Sequence, residues 1–250
     1  MSRQRRAAAG FTLIEIAIVL VVIGILLSGG LLAISPVVQA SKVTETKARM
    51  TRVETALLTY VIANGCLPCP ALGTRNSTTD SLAGAAQVGG TGNTGSCAGA
   101  CNLAEGVVPW RNLGLSEADA TDSFGTRLSY GASSALCDSS TDMTRSGSSY
   151  PAGTLTVNDA SGAAVTMAAA YVIVSHGPDG SQGFAAETGT QQADKHNSAT
   201  QQENASNDSI FNLLPANTAD NTGYFDDIVA FRTAPNIIQA CGAGSCGNPS

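Results

Sequence analysis

The chain has 250 residues, a formal net charge of −6, and 43% hydrophobic against 13% charged residues. That length suits one globular domain with appendages, not two full domains. Arg3, Arg5 and Arg6 sit in the first ten residues, so the remainder is more acidic still. It repels phosphate backbones, and nucleic-acid binding is not expected.

The first element is apolar. From Ile16 to Ser41 no side chain ionises, and Ile16–Ile34 is broken only by Ser28 and by Gly24, Gly29 and Gly30. A run of about 18 or more apolar residues reads as a membrane span. The basic flank keeps its N-terminal end in the cytoplasm. A secretory signal peptide has a shorter apolar region and an A-x-A-like cut before a polar start. The sequence shows neither, so a retained anchor over about residues 11–36 is expected. Residues 37–64 then carry Val43, Met50, Val53, Leu57, Tyr60 and Val61 at helical steps, one stripe of an amphipathic helix. Glu45 precedes Arg49 by four residues, the favourable order for a helical ion pair. Asn64-Gly65 and Pro68 predict the stop. A continuous helix over 11–64 would be about 80 Å long, with about 30 Å in a bilayer. Pro36 and the Gly29-Gly30 pair are its weak points.

A head over 65–250 follows. Residues 73–102 are rich in Gly, Ser, Thr and Ala and read as a long surface loop. Strands are predicted at 128–132, 154–158, 169–175 and 227–233. The polar stretch 185–208 reads as an exposed excursion. A long helix followed by strands predicts an α+β fold, with an antiparallel sheet packed on the helix.

The N-terminal residues carry a resemblance. "GFTLIE", Gly10 to Glu15, behind its basic leader, resembles the processing site of type IV prepilins and type II secretion pseudopilins. The resemblance implies that a prepilin peptidase removes residues 1–10, cutting after Gly10 on the cytoplasmic side, and that Phe11 becomes an N-methylated first residue. Glu15 is then fifth in the mature chain. A carboxylate in hydrocarbon costs roughly 2.5–3.5 kcal/mol on insertion scales unless paired. By resemblance its partner is the amine of a Phe11, commonly in a neighbouring subunit, which favours docking into a filament. The alternative is a Glu snorkelling to the interface. Pro36 lies a little later than the family's usual helix-breaking proline. In the head "LPCPA" (67–71), "VPWRNLGL" (108–115), "DSFGTRLSY" (122–130), "VSHGPDG" (174–180) and "DDIVAF" (226–231) are similar in kind and order to motifs of minor pilin-like and pseudopilin proteins. Trp110, Leu113 and Tyr130 are expected to pack in the core.

Seven cysteines, Cys66, Cys69, Cys97, Cys101, Cys137, Cys241 and Cys246, lie beyond the expected anchor, in the oxidising periplasm of a typical Gram-negative envelope. Disulfides are expected, and spacing does not fix their pairing. The odd thiol is either free or intermolecular. Cys66-x-x-Cys69 with Cys97-x-x-x-Cys101 also has zinc-ligand spacing, and "CLPC" has redox spacing. Both readings are weaker: the exported location favours structural disulfides over zinc, and this C-x-x-C follows a helix instead of opening one, as a redox pair would.

Enzymatic chemistry is not expected. "GTGNTG" (90–95) fits G-x-G-x-x-G but lacks the strand, helix and acid that a dinucleotide site needs. His196 is expected to be solvated, and His176 to make a local hydrogen bond. Pro178, Asp179 and Gly180 suit a tight turn. By resemblance to the calcium loop of major pseudopilins, Asp179 with Asp226 or Asp227 could supply the hard oxygens calcium takes; no other cofactor is expected.

The sequence thus predicts a structural subunit of a type IV pilus or a type II secretion pseudopilus, a minor one from its stapled head. It would sit in the inner membrane with the head in the periplasm, and pack on other subunits through its N-terminal helix. The alternatives are a tip subunit binding a surface or cargo through 73–102 or 185–208, and a membrane-anchored redox or metal protein built on Cys66 and Cys69.

Overall fold

The computed structural model describes residues 11–31, 34–87, 97, 101–138, 143, 151–219, 223–242, 246 and 247; the side chains of 26–31, 34 and 35 are not among those described. The expected leader, with Gly10, and the "GTGNTG" segment lie outside the described residues. The chain divides into two units, residues 1–41 and 42–250.

In the first unit, α1 runs Leu13–Leu31. Thr12 caps it: the Glu15 amide donates to Thr12 Oγ1 at 3.3 Å and to the Thr12 carbonyl at 3.1 Å. Glu15 therefore stands in the first turn, where the helix dipole favours an acid. The described aliphatic side chains of α1 are exposed all round, from Leu13 at 93% to Ile23 at 45%. Among the described residues no helix is long and apolar enough to cross a membrane.

The expected helix over 11–64 is found as α1 and α2, Ile34–Asn64, with residues 32 and 33 outside those described. Pro36 lies in the first turn of α2, where the missing N–H is an orphan in any case. Further along α2 the predicted stripe is buried: Met50, Val53, Leu57 and Val61 are at most 3% exposed, joined by Thr46. Val43 and Tyr60 are half-buried. Glu45 and Arg49 form the expected ion pair. The helix stops at Gly65, whose φ of +76° suits glycine and whose amide donates to the Val61 carbonyl.

The second unit is α+β. Its sheet contains β1 (Glu105–Val107), β2 (Ser129–Ala132), β3 (Leu155–Asn158), β4 (Ala164–Ser175), β5 (Ile210–Asn212) and β6 (Ile228–Thr233) in the order β1-β2-β4-β3-β5, with β6 also paired to β4. The long β4 organises it. Ala169–Ser175 pairs antiparallel with β6, and its 171–174 stretch also pairs with β2. Alternation along β4 splits the core between the two faces. Tyr171 and Ile173 join Leu57, Val61, Trp110 and Tyr130 in one cluster, whereas Val172 and Val174 join Leu155, Val157 and Phe211 in the other. Two short helices complete the unit: α3 (Ala199–Gln202) and α4 (Ala234–Ala240).

The structure corrects three expectations. The sheet is not wholly antiparallel: β3 and β5 run parallel, with Val157 opposite Phe211. No hairpin joins them, so nothing in the connection imposes antiparallel pairing. The described part of 73–102 is no surface loop, because Ala83, Ala85, Ala86 and Gln87 are buried. Its turn at Gly84, with φ of +73°, lies so close under the Trp110 ring that a Cβ would come within 1.9 Å. Arg127, fully buried, donates to the Gly73 and Arg75 carbonyls at 2.7 and 2.8 Å and pairs with Glu117. The stretch 185–208 is exposed only in part. Ser198, Gln201 and Asn204 within it are at most 2% exposed. Trp110 and Tyr130 are buried as predicted, and Leu113 packs against the same core.

Candidate functional site

Two places carry the sequence-predicted residues. The first is the start of α1. Phe11 is 78% exposed. Glu15 is exposed on the first turn, and among the described residues its carboxylate has no partner. The capped first turn leaves both groups free for another molecule.

The second is an acid cluster in the head. β4 ends at Ser175, and the chain turns through Gly177 and Gly180, both at positive φ. A Cβ on Gly177 would lie 2.4 Å from the Asp226 carbonyl, so only glycine lets the two segments approach this closely. The turn sets Asp179 against Asp226 and Asp227, which immediately precede β6. The Asp179 amide donates to Asp226 Oδ2 at 3.1 Å. α3 then brings in Gln201. Its amide nitrogen is 2.8 Å from Asp226 Oδ1, 3.1 and 3.3 Å from the Asp179 oxygens, and 3.4 Å from Asp227 Oδ1. Asn204 donates to Asp227 Oδ2 at 2.8 Å, and the Tyr224 hydroxyl donates to Asp226 Oδ2 at 3.1 Å.

The electrostatics follow from crowding and burial. Burial, then the neighbouring Asp179 charge, pushes the Asp226 carboxyl up to about 6. Burial, with Asp226 and Asp179 adding, pushes Asp227 up to about 8. Gln201 Oε1 is buried without a partner. One amide nitrogen, with two hydrogens, thus faces four carboxylate oxygens while its own oxygen is orphaned. Turning the amide over would aim Oε1 at the carboxylates, an arrangement that only a cation or a proton between them would stabilise. The donor chemistry fits a hard cation. The carboxylates stand apart around the amide, however: among the described residues, the grouping of metal-ligand atoms within 4.8 Å of one another is Cys69, Cys101 and Cys137.

Both histidines depart from expectation. His196 is not freely solvated; its ring stacks on Tyr224 at 3.7 Å, with Nε2 3.5 Å from Asp179 Oδ2. His176 is fully buried, and its partner, Ser129 Oγ at 2.8 Å, is on β2 instead of being local. Burial pushes its imidazole down to about 4. Sequence reasoning missed Gln201, Asn204 and Tyr224; the density of Gln and Asn in 185–208 was the available signal.

The cysteines resolve as Cys66–Cys97, Cys69–Cys101 and Cys241–Cys246, with Cys137 a buried free thiol. Cys66 and Cys69 each bond elsewhere, so the C-x-x-C is not a redox pair, and the disulfides occupy the sulfurs that a zinc site would need.

The chain carries the prokaryotic N-terminal methylation motif over residues 5–31, the prepilin-type cleavage and methylation segment of type IV pilin-like proteins. The motif points to a structural pilin-like or pseudopilin-like subunit that assembles with other pilin subunits and is processed by a prepilin peptidase. No curated protein and no solved structure matches the chain.

Proposed function

We propose that the chain is a filament subunit of a type IV pilus or a type II secretion pseudopilus, anchored in the inner membrane with its head in the periplasm until assembly. A prepilin peptidase cuts after Gly10 and methylates Phe11. Glu15 then meets the new amine of a neighbouring subunit. The observation that carries this reading is the methylation motif. The exposure of Ile14, Ile18, Leu20 and Val21, each between 58% and 69%, supports it, since an exposed aliphatic surface is covered by lipid or sibling helices. The required span, about residues 11–36, runs past Ile25, the last described side chain of α1. Two measurements test the reading. The mature protein should begin at Phe11 with one added methyl by intact mass. Glu15→Ala should insert in the membrane yet be lost from filaments; normal incorporation would overturn the role of Glu15.

A second reading concerns the head. Calcium held by Asp179, Asp226 and Asp227, with Gln201 turned to offer Oε1, is favoured by that orphaned buried oxygen. The ion would neutralise the crowded acids and tie the β4 turn, α3 and the start of β6 together. A cation that binds only the folded head raises its stability by about 2.7 kcal/mol at 100 times its Kd. An unchanged melting temperature between millimolar calcium and chelator would remove the site.

A further inference from the structure

The three bridges leave one thiol, and its position is specific. Cys137 is 1% exposed, and its Sγ lies within 4.8 Å of both sulfurs of the Cys69–Cys101 bridge. The segments bearing Cys69 and Cys137 are fastened side by side. The Leu67 amide donates to the Leu136 carbonyl at 2.8 Å, and the Tyr130 hydroxyl, from β2, reaches the Pro68 carbonyl at 3.1 Å. Cys101 differs from the other two: it is half-buried.

We propose that Cys137 is a resident exchange partner of this bridge, converting Cys69–Cys101 into Cys69–Cys137 and so moving the chain's one thiol from the core to the half-buried Cys101. The Cys137 thiolate attacks Cys69 Sγ. The Cys69–Cys137 bond forms as the Cys69–Cys101 bond breaks. Cys101 leaves as a thiolate and takes up the proton that Cys137 lost. Electrons balance within the three sulfurs, so no outside oxidant or reductant is consumed. Direction comes from packing: both sulfurs of the new bond sit in the fixed core, and the leaving sulfur is the one with access to solvent. Burial pushes the Cys137 thiol up to about 12, so little of it is thiolate and the exchange is slow.

The test maps disulfides in the full-length chain in detergent. Wild-type protein and Cys137→Ala are incubated at pH 8.5 without added thiol, quenched in acid, denatured, alkylated and digested without reduction. In wild type, alkylated Cys101 should rise at least tenfold over Cys137→Ala, together with a Cys69–Cys137 linked peptide. Labelling of Cys101 equal in the two proteins, with no such peptide, overturns the proposal. Cys101→Ser sharpens the result: a folded variant should hold Cys69–Cys137 in nearly every molecule and show no alkylated thiol. A folded Cys101→Ser in which Cys69 and Cys137 are both alkylated would equally overturn it. If that variant does not fold, the wild-type comparison decides alone.

Discussion

Leu57 in α2 has no exposed surface, whereas Leu13 in α1 is 93% exposed. Both sit on helices rich in aliphatic residues, and the difference lies in pattern. α2 interleaves its apolar stripe with Glu45, Lys47, Arg49, Arg52 and Glu54, so water can cover one side while the sheet covers the other. After Glu15, α1 has no ionisable side chain and no polar face to turn outward. A helix that is apolar all round is completed by lipid or by other helices, not by its own chain. The head takes the opposite course and closes on itself, with Glu105, Asp122, Asp226 and Asp227 buried and hydrogen-bonded.

That contrast yields the largest expected effect. Truncating Leu57 to Ala opens a void in a closed core, at a cost of about 2–5 kcal/mol. Truncating Ile18 to Ala shortens a side chain that is 58% exposed, and should leave head unfolding within about 0.5 kcal/mol of wild type. Denaturant unfolding of both variants in detergent checks this. Equal losses would mean that α1 is part of the head's core, which would end the contrast.

A smaller effect comes from a buried acid. Glu105 is 7% exposed, and burial, with Asp208 and Asp227 adding, pushes it up to about 8. Its carboxylate accepts from the Asn207 amide at 3.2 Å. Because the folded value lies above the unfolded one, near 4.5, the folded state binds the proton more tightly. Glu105 therefore favours folding in acid, and that contribution is lost as pH rises from about 4.5 through about 8. Glu105→Gln keeps an acceptor for Asn207 without the charge. Its melting temperature should exceed that of wild type at pH 8.5, and the two should converge near pH 5. A parallel shift at both pH values would mean that the carboxyl does not titrate in this window.

The sequence revealed the parts of the fold that depend on local pattern. The stripe of Met50, Val53, Leu57 and Val61, the Asn64-Gly65 stop and four of the six strands follow from periodicity and turn residues. β1 and β5 have three residues each, too few for an alternation to register. The cluster around Asp226 was half legible. Adjacent acids before a strand are visible in the sequence, but the Gln201 amide that faces them arrives from α3, 22 to 26 residues from its partners. That stretch is polar, and polarity alone cannot distinguish a solvated loop from one whose side chains bond one another inside. Disulfide pairing was illegible for a related reason. Cys66 and Cys69, three apart in sequence, bond across 31 and 32 residues, and the chain's return path decides that.

The last comparison, whose smaller member is the slightest effect of all, separates the two kinds of charge in the head. Arg52 pairs with Asp119, but its side chain is 61% exposed. Water screens that attraction, and holding two long side chains in one geometry costs entropy. Pairs of this kind are worth about 0–1 kcal/mol. Arg127 has no exposed surface; besides Glu117 it serves the carbonyls of Gly73, Arg75 and Glu187, and its guanidinium lies 5.2 Å from the Trp110 ring centre. Removing it strands a buried acceptor set, at a cost of about 3–5 kcal/mol. Arg52→Ala should therefore unfold within about 1 kcal/mol of wild type, and added salt should shrink even that gap. Arg127→Met should fall several-fold further, with little response to salt, since the loss lies in unmet hydrogen bonds that ions cannot reach. If the two variants lose stability equally, the head does not draw its strength from closing polar groups inside, and its contrast with the bare surface of α1 rests on the aliphatic core alone.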